Sequence, residues 1–349
     1  MNRTIQLPTT FRFARKILII LFVLLPISVS VAQESSDKVE ETLNAVVGLR
    51  AEVPDDARTA FSLGTMREGN GIVIDDDGLI LTIGYLIMEA SDIQVTDSQG
   101  QFVPAEMVAY DYNSGFGMVR SKQPLGIKGI PLGDSSVLSP GDPTLILSNY
   151  GPDFMQVAQV VDRREFPGYW EYLLDRAIFT APPFSGFGGA ALINTQGELV
   201  GVGSLIVHDA VTGERPTPGN MFVPINLLKP IYDDLLQYGR DTTDSRPWLG
   251  VYTAVDRGHL FIYRVAPDGP AETAGLRPND IIVAVNGNSV SDMAEFLREV
   301  WASGPTGVDV RISVLRAGGL TEIVVKSGDR YNWLKILPGS KYSAMLQLH

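Results

Sequence analysis

The sequence predicts a mainly β protein of two globular domains, and three observations carry that prediction. Short apolar runs recur from residue 43 to about residue 231, with turn chemistry between them. The 35 glycines and 22 prolines fall between those runs, where tight turns joining many short strands place them. A hydrophobic content of 45% against 19% charged over 349 residues supplies two cores, more than a disordered or fibrous chain carries.

At the N-terminus, Arg3, Arg12, Arg15 and Lys16 precede an apolar run over residues 17–29, followed by Ser30-Val-Ala32, small residues spaced for a signal peptidase. Residues 1–32 therefore read as an export signal cleaved after Ala32, with an uncleaved membrane anchor as the alternative. The run is shorter than the ~20 residues that span a bilayer, and Pro26 interrupts it, so no stable membrane span is expected after cleavage. The expected location is periplasmic or secreted.

Removing the signal takes four of the 28 basic residues and none of the 40 acids, making the chain more acidic than its net charge of −12. Nucleic acid is excluded as an expected partner. The absence of cysteine excludes disulfides and thiolate metal sites. Three scattered histidines, His208, His259 and His349, give a metal site no support, and no cofactor is expected.

Residues 33–42 are polar and acidic, a flexible lead-in. From 43 to 238 come runs such as Gly71-Ile-Val-Ile74, Leu79-Ile-Leu81, Leu145-Ile-Leu147 and Leu199-Val-Gly-Val202. Glycine-bearing turns, Asp75-Asp-Asp-Gly78 and Asn194-Thr-Gln-Gly197, stand between them, a pattern that suits a barrel or sandwich. Leu228, Ile231, Leu235 and Tyr238 have helical spacing, and the polar residues 239–246 read as a linker with the domain boundary near Ser245. Residues 247–330 form a smaller α/β unit, in which Asp292 and Glu295 make a capping-box-like helix start. The tail, 331–349, is too mixed to assign.

Within that smaller unit, Gly269-Pro-Ala271, Ala274-Gly-Leu276, Asp280-Ile-Ile282 and Asn286-Gly287 resemble the PDZ domains attached to HtrA-type proteases. Asn279 stands where that family usually has glycine, and asparagine also tolerates positive φ. The resemblance implies capture of a polypeptide C-terminus by strand addition, its carboxylate resting on the backbone amides of Trp248, Leu249, Gly250 and Val251. Met293 and Leu297, four residues apart on the helix, are the candidate lining of the side-chain pocket, with more core as the alternative. Phe296 and Val300 are expected to face the core.

The larger domain resembles the HtrA/DegP protease, a chymotrypsin-like double β-barrel, through matches in family order. Gly69-Asn-Gly-Ile-Val-Ile-Asp75 and Asp77-Gly-Leu-Ile-Leu-Thr82 resemble the strands leading to the catalytic histidine, a position held here by Tyr85. Ala109-Tyr-Asp-Tyr-Asn-Ser-Gly-Phe-Gly-Met-Val-Arg120 places Gly115 at the aspartate. Gly186-Phe-Gly-Gly-Ala-Ala-Leu-Ile-Asn194 places Gly188 at the nucleophile, and a slip of one residue would choose Gly189.

A serine protease needs an activated hydroxyl, an imidazole base and a carboxylate that orients it. These vestigial positions supply none of the three, and a tyrosine, with a reference pKa near 10, is a poor base at neutral pH. The expectation is an exported pseudoprotease, not an enzyme, whose PDZ domain binds C-termini or unfolded segments in envelope protein quality control or its regulation. Self-association or assembly with active HtrA relatives is a third expectation.

The alternative is an active endopeptidase with a non-standard site around Ser185, which would still lack an obvious base, because His208 and His259 depart from the family order. Asp111 could supply a carboxylate, with no imidazole to orient. Phe166, Tyr169, Trp170 and Tyr172 are read as a plug over the barrel or as an interaction surface.

Overall fold

The computed structural model describes residues 39–97, 99–149, 154–242 and 246–335. The export signal, the cleavage point at Ala32, residues 33–38 of the lead-in, the boundary at Ser245 and the tail beyond Lys335 lie outside the described residues. Internal contacts separate the residues up to Leu43 from one compact unit that begins at Asn44. Among the described residues, no helix is long and apolar enough to cross a membrane.

The unit from Asn44 is mainly β, as the run pattern predicts. Strands β1 (Val46–Glu52), β2 (Met66–Val73), β3 (Leu79–Ile83), β4 (Asp92–Thr96), β5 (Phe102–Tyr110) and β6 (Phe116–Ser121) close into a barrel in the order β1-β2-β3-β6-β5-β4. A second barrel follows with β7 (Pro143–Leu147), β8 (Met155–Gly168), β9 (Tyr172–Ala181), β10 (Ala191–Ile193), β11 (Leu199–Val211) and β12 (Thr217–Pro224), in the order β10-β11-β12-β9-β8-β7. Closure leaves neither barrel a free edge. Leu79, Ile80 and Leu81 in the first and Ile178, Leu192 and Phe222 in the second are fully buried.

The expected helix after the barrels is interrupted. Two 3₁₀ turns, Ile225–Leu227 and Lys229–Ile231, precede the α-helix Tyr232–Tyr238, because Pro230 has no N–H to donate to a regular helix there.

The third sheet runs β13 (Val251–Asp256), β14 (His259–Val265), β15 (Ile281–Val285), β17 (Asp309–Arg316), β18 (Gly319–Lys326), with β16 (Asn288–Ser289) paired to β15. Asn279 has φ 72°, so asparagine takes the left-handed turn where the resemblance expects glycine. The helix Met293–Ala302 packs its buried Ala294, Phe296, Leu297 and Val300 on this sheet. Its N-cap Asp292 accepts from the Glu295 N–H, and the Glu295 carboxylate reaches back to the Ser291 N–H, the expected capping device shifted by one residue.

The sequence assigns nothing after Arg330, yet Arg330–Trp333 forms a short helix that returns to the first barrel. Tyr331 is buried against Tyr110 and Tyr112, and its hydroxyl donates to the Tyr110 carbonyl at 3.2 Å.

Candidate active cleft and carboxylate-binding loop

The end of β3 turns through the 3₁₀ segment Gly84–Leu86, which carries Tyr85 into the cleft between the barrels. Arg67 holds this turn from behind, donating to the carbonyls of Tyr85 (2.9 Å) and Met88 (2.8 Å) and to Thr59 Oγ1 (2.8 Å). Burial lowers the Arg67 pKa to about 10, opposed by the nearby Glu89 carboxylate. Tyr85 Oη donates to the Ser204 carbonyl at 2.9 Å, and burial pushes its pKa further above the ordinary phenol value. It stands beside Gly188, where an added Cβ would lie 3.0 Å from Tyr85 Oη.

At Gly115 an added Cβ would meet Tyr172 Oη at 3.0 Å, and that hydroxyl donates to the Ser114 carbonyl at 2.6 Å. Phenols of Tyr85 and Tyr172 thus fill the space beside the two glycines. Tyr85, Gly115, Tyr172 and Phe187 line one cavity of about 550 Å³, which Tyr252 and Arg264 of the third sheet also line. Asp111 is buried, and its carboxylate accepts from Ser114 N (2.8 Å) and Ser114 Oγ (2.6 Å) inside its own turn. Burial raises its pKa despite those donors.

The segment after β9 is tied to the first barrel by Asn70, which is fully buried. Its Nδ2 donates to the carbonyls of Gly186 and Gly188, each at 2.9 Å, and its Oδ1 accepts from Ser148 Oγ (2.9 Å) and Asn149 N (2.7 Å). Gly189 has φ 74°, and a Cβ there would meet the Asn70 carbonyl oxygen at 2.1 Å. Ser185 lies exposed in the turn just before this tethered stretch. His208 and His259 are also exposed, on β11 and at the start of β14.

The loop that leads into β13 is occupied. Glu171, from the hairpin between β8 and β9, sends its carboxylate onto three backbone amides: Leu249 N (3.0 Å), Gly250 N (2.6 Å) and Val251 N (2.8 Å). Glu171 is only 6% exposed, and burial pushes its carboxyl up to about 7 against those three donors and Arg330. Beside it, Thr253 N on β13 donates to the Tyr169 carbonyl at 3.1 Å.

Leu297 is buried in the same apolar cluster as Leu173 of β9, with Met293 packed partly buried against it. Arg298, on the same helix, pairs with Glu165 of β8 and Asp175 of β9. The aromatic group extends from the barrel onto the third sheet. Trp170 stacks on Tyr172 at 5.2 Å, and Tyr169 packs against Tyr252 and Tyr263 at 6.4 and 5.8 Å.

Sequence reasoning missed Glu171. A detectable signal was present, a glutamate at the last position of a three-residue hairpin turn, where positive φ favours glycine or asparagine.

Two family models match in the order the fold displays: the Trypsin-like peptidase domain over residues 69–202 and the PDZ domain over residues 261–316. The chain is a trypsin-like peptidase domain joined to a PDZ domain, homologous to the DegP/HtrA proteins. It is 27% identical over 270 residues to the periplasmic serine endoprotease DegP of Escherichia coli (strain K12), covering 72% of this chain and 55% of that relative. The DegP of Salmonella typhimurium (strain LT2) matches with the same identity and coverage, 27% over 270 residues, 72% of this chain and 55% of the relative. The chain thus spans about half the length of these curated relatives. In structure it is similar to a variant of the HtrA-type protease AlgW with a tripeptide, at TM-score 0.53 and 21% identity, covering 87% of this chain and 98% of that one.

These relatives overturn one sequence-based expectation, that the chain is a pseudoprotease and not an enzyme, because the proteins it matches are named serine endoproteases. The expectation inferred inactivity from side chains at three positions taken in family order. Chain order is not what defines such a site, since the same catalytic geometry recurs with its residues in different sequence positions.

Proposed function

We propose that the chain is an HtrA-type serine endopeptidase of the cell envelope that recognises polypeptide C-termini through its PDZ loop and serves protein quality control. One observation carries the recognition half: the N–H groups of Leu249, Gly250 and Val251 converge on a single carboxylate within 2.6–3.0 Å. Three amide donors around one anion form a site that a chain-terminal carboxylate fits with the same geometry. The burial of Leu297 in the apolar cluster that Leu173 joins supports an apolar anchor pocket next to that site, with Met293 packed against the same cluster. Export by the N-terminal signal and a periplasmic location accord with the names of the DegP relatives.

For hydrolysis, the hydroxyl assigned is Ser185, exposed ahead of the stretch that Asn70 fixes, whereas Gly188 and Gly189 carry none. Among the described residues no imidazole is hydrogen-bonded to Ser185, so turnover is expected about 10⁴-fold or more below that of an enzyme with a full triad. Casein hydrolysis together with labelling by a fluorophosphonate probe tests the assignment. Wild type should label and cleave, and Ser185→Ala should do neither. Cleavage that survives Ser185→Ala moves the nucleophile elsewhere, and no cleavage by wild type at long incubation removes the endopeptidase reading.

A further inference from the structure

Three of the contacts that hold the β8–β9 hairpin in the PDZ groove are those an extended peptide would make. Its carbonyl at Tyr169 receives the Thr253 N–H at 3.1 Å, as an added strand does on the outer side of β13. Its Leu173 enters the apolar cluster that includes Leu297. Its Glu171 carboxylate takes the amides of Leu249, Gly250 and Val251. Backbone partner, apolar anchor and terminal anion are all present, supplied by the chain itself.

We propose that this hairpin is an internal ligand of the PDZ groove, with Glu171 standing in for a C-terminal carboxylate, and that a free polypeptide C-terminus binds by displacing it. The proposal rests on the reading of the groove as a C-terminus site. The groove must release this hairpin before it takes another chain end. A tethered ligand faces its site at an effective concentration of roughly millimolar, so an external peptide is weakened by the whole strength of the internal contact.

The partner that wins is one with a free α-carboxylate behind an apolar last residue, because it replaces both the anion and the Leu173 anchor. A peptide that ends in carboxamide, with no anion to offer the three amides, does not compete. Arg298, paired with Glu165 and Asp175, secures the hairpin from the helix side without touching the loop.

The test uses the full-length chain, its Glu171→Gln and Glu171→Ala variants, and Arg298→Ser as a variant whose exposed side chain makes misfolding no concern. Hydrogen exchange at residues 249–251, measured with no peptide present, should accelerate about tenfold in Glu171→Ala, the expected loss for charge-assisted bonds to a carboxylate. Glu171→Gln and Arg298→Ser should give smaller changes in the same direction. Unchanged exchange in all three overturns the internal ligand, whatever peptides do.

Fluorescence polarisation with a pool of labelled decapeptides ending in Leu, Val or Phe, as free acids and as carboxamides, then reads competition. The free acids should bind Glu171→Ala about tenfold tighter than wild type, with no such gain for the amides. Equal affinity in both proteins overturns displacement. Faster exchange with no acid-dependent binding in any variant overturns the C-terminus reading itself and leaves the internal contact standing.

Discussion

Glu171 sits at φ 58°, a left-handed conformation that costs a non-glycine residue about 1 kcal/mol or more, and only its docking offsets that cost. Its carboxyl moves from a reference of 4.5 up to about 7, mainly through burial. Between those values the folded chain keeps a proton that the unfolded chain has released. The stability this group contributes is therefore complete below about pH 4.5, declines as pH rises and is lost above about pH 7. The whole effect is about 3 kcal/mol at most. Urea midpoints measured from pH 5 to 8 should fall more steeply in wild type than in Glu171→Gln, and parallel curves would refute the assignment. Gly189→Ala should be costly for a different reason, since its Cβ meets a backbone oxygen at 2.1 Å in a chain held at φ 74°. A loss of about 3 kcal/mol or more in urea denaturation is expected, against a few tenths for Gly318→Ala, whose surroundings are open and whose backbone is not left-handed.

Among the elements, strands and caps were the most legible in the sequence, because period and turn chemistry are local. Leu79-Ile-Leu81 became β3, Asp292 capped its helix, and Asn279 turned where asparagine was expected to turn. What could not be read was pairing over distance. Nothing near Asn70 announces that its side chain will hold Gly186 and Gly188, 116 and 118 residues away. The aromatic group was legible as a cluster but not as a bridge between barrel and sheet, since Tyr252 and Tyr263 lie far along the chain. Asp280 was legible as part of the motif Asp280-Ile-Ile282 and not as one half of an ion pair. Its buried carboxylate receives Arg316 Nε at 2.6 Å and Nη2 at 2.7 Å. Arg316→Met should therefore cost about 3 kcal/mol by stranding that carboxylate, and Asp280→Asn with Arg316→Met should recover part of the loss in a double-mutant cycle.

Among the described residues, the barrels and the PDZ domain meet at the hairpin carrying Glu171, at the helix Arg330–Trp333, whose Tyr331 is buried against Tyr110 and Tyr112, and at the ion pair of Arg58 with Asp268. With these contacts in place, calorimetry should record a single cooperative transition. Tyr331→Ala, expected to cost about 3 kcal/mol, should split it in two as the domains begin to unfold separately. The occupied groove has one more effect. β13 is the last strand of its sheet, and Tyr169 covers its outward-facing amide at Thr253. A molecule whose hairpin has swung away offers that bare margin to its neighbours, and strand exchange between copies is the ordinary fate of such margins. The same turn that guards the groove therefore also keeps the protein from joining end to end with itself.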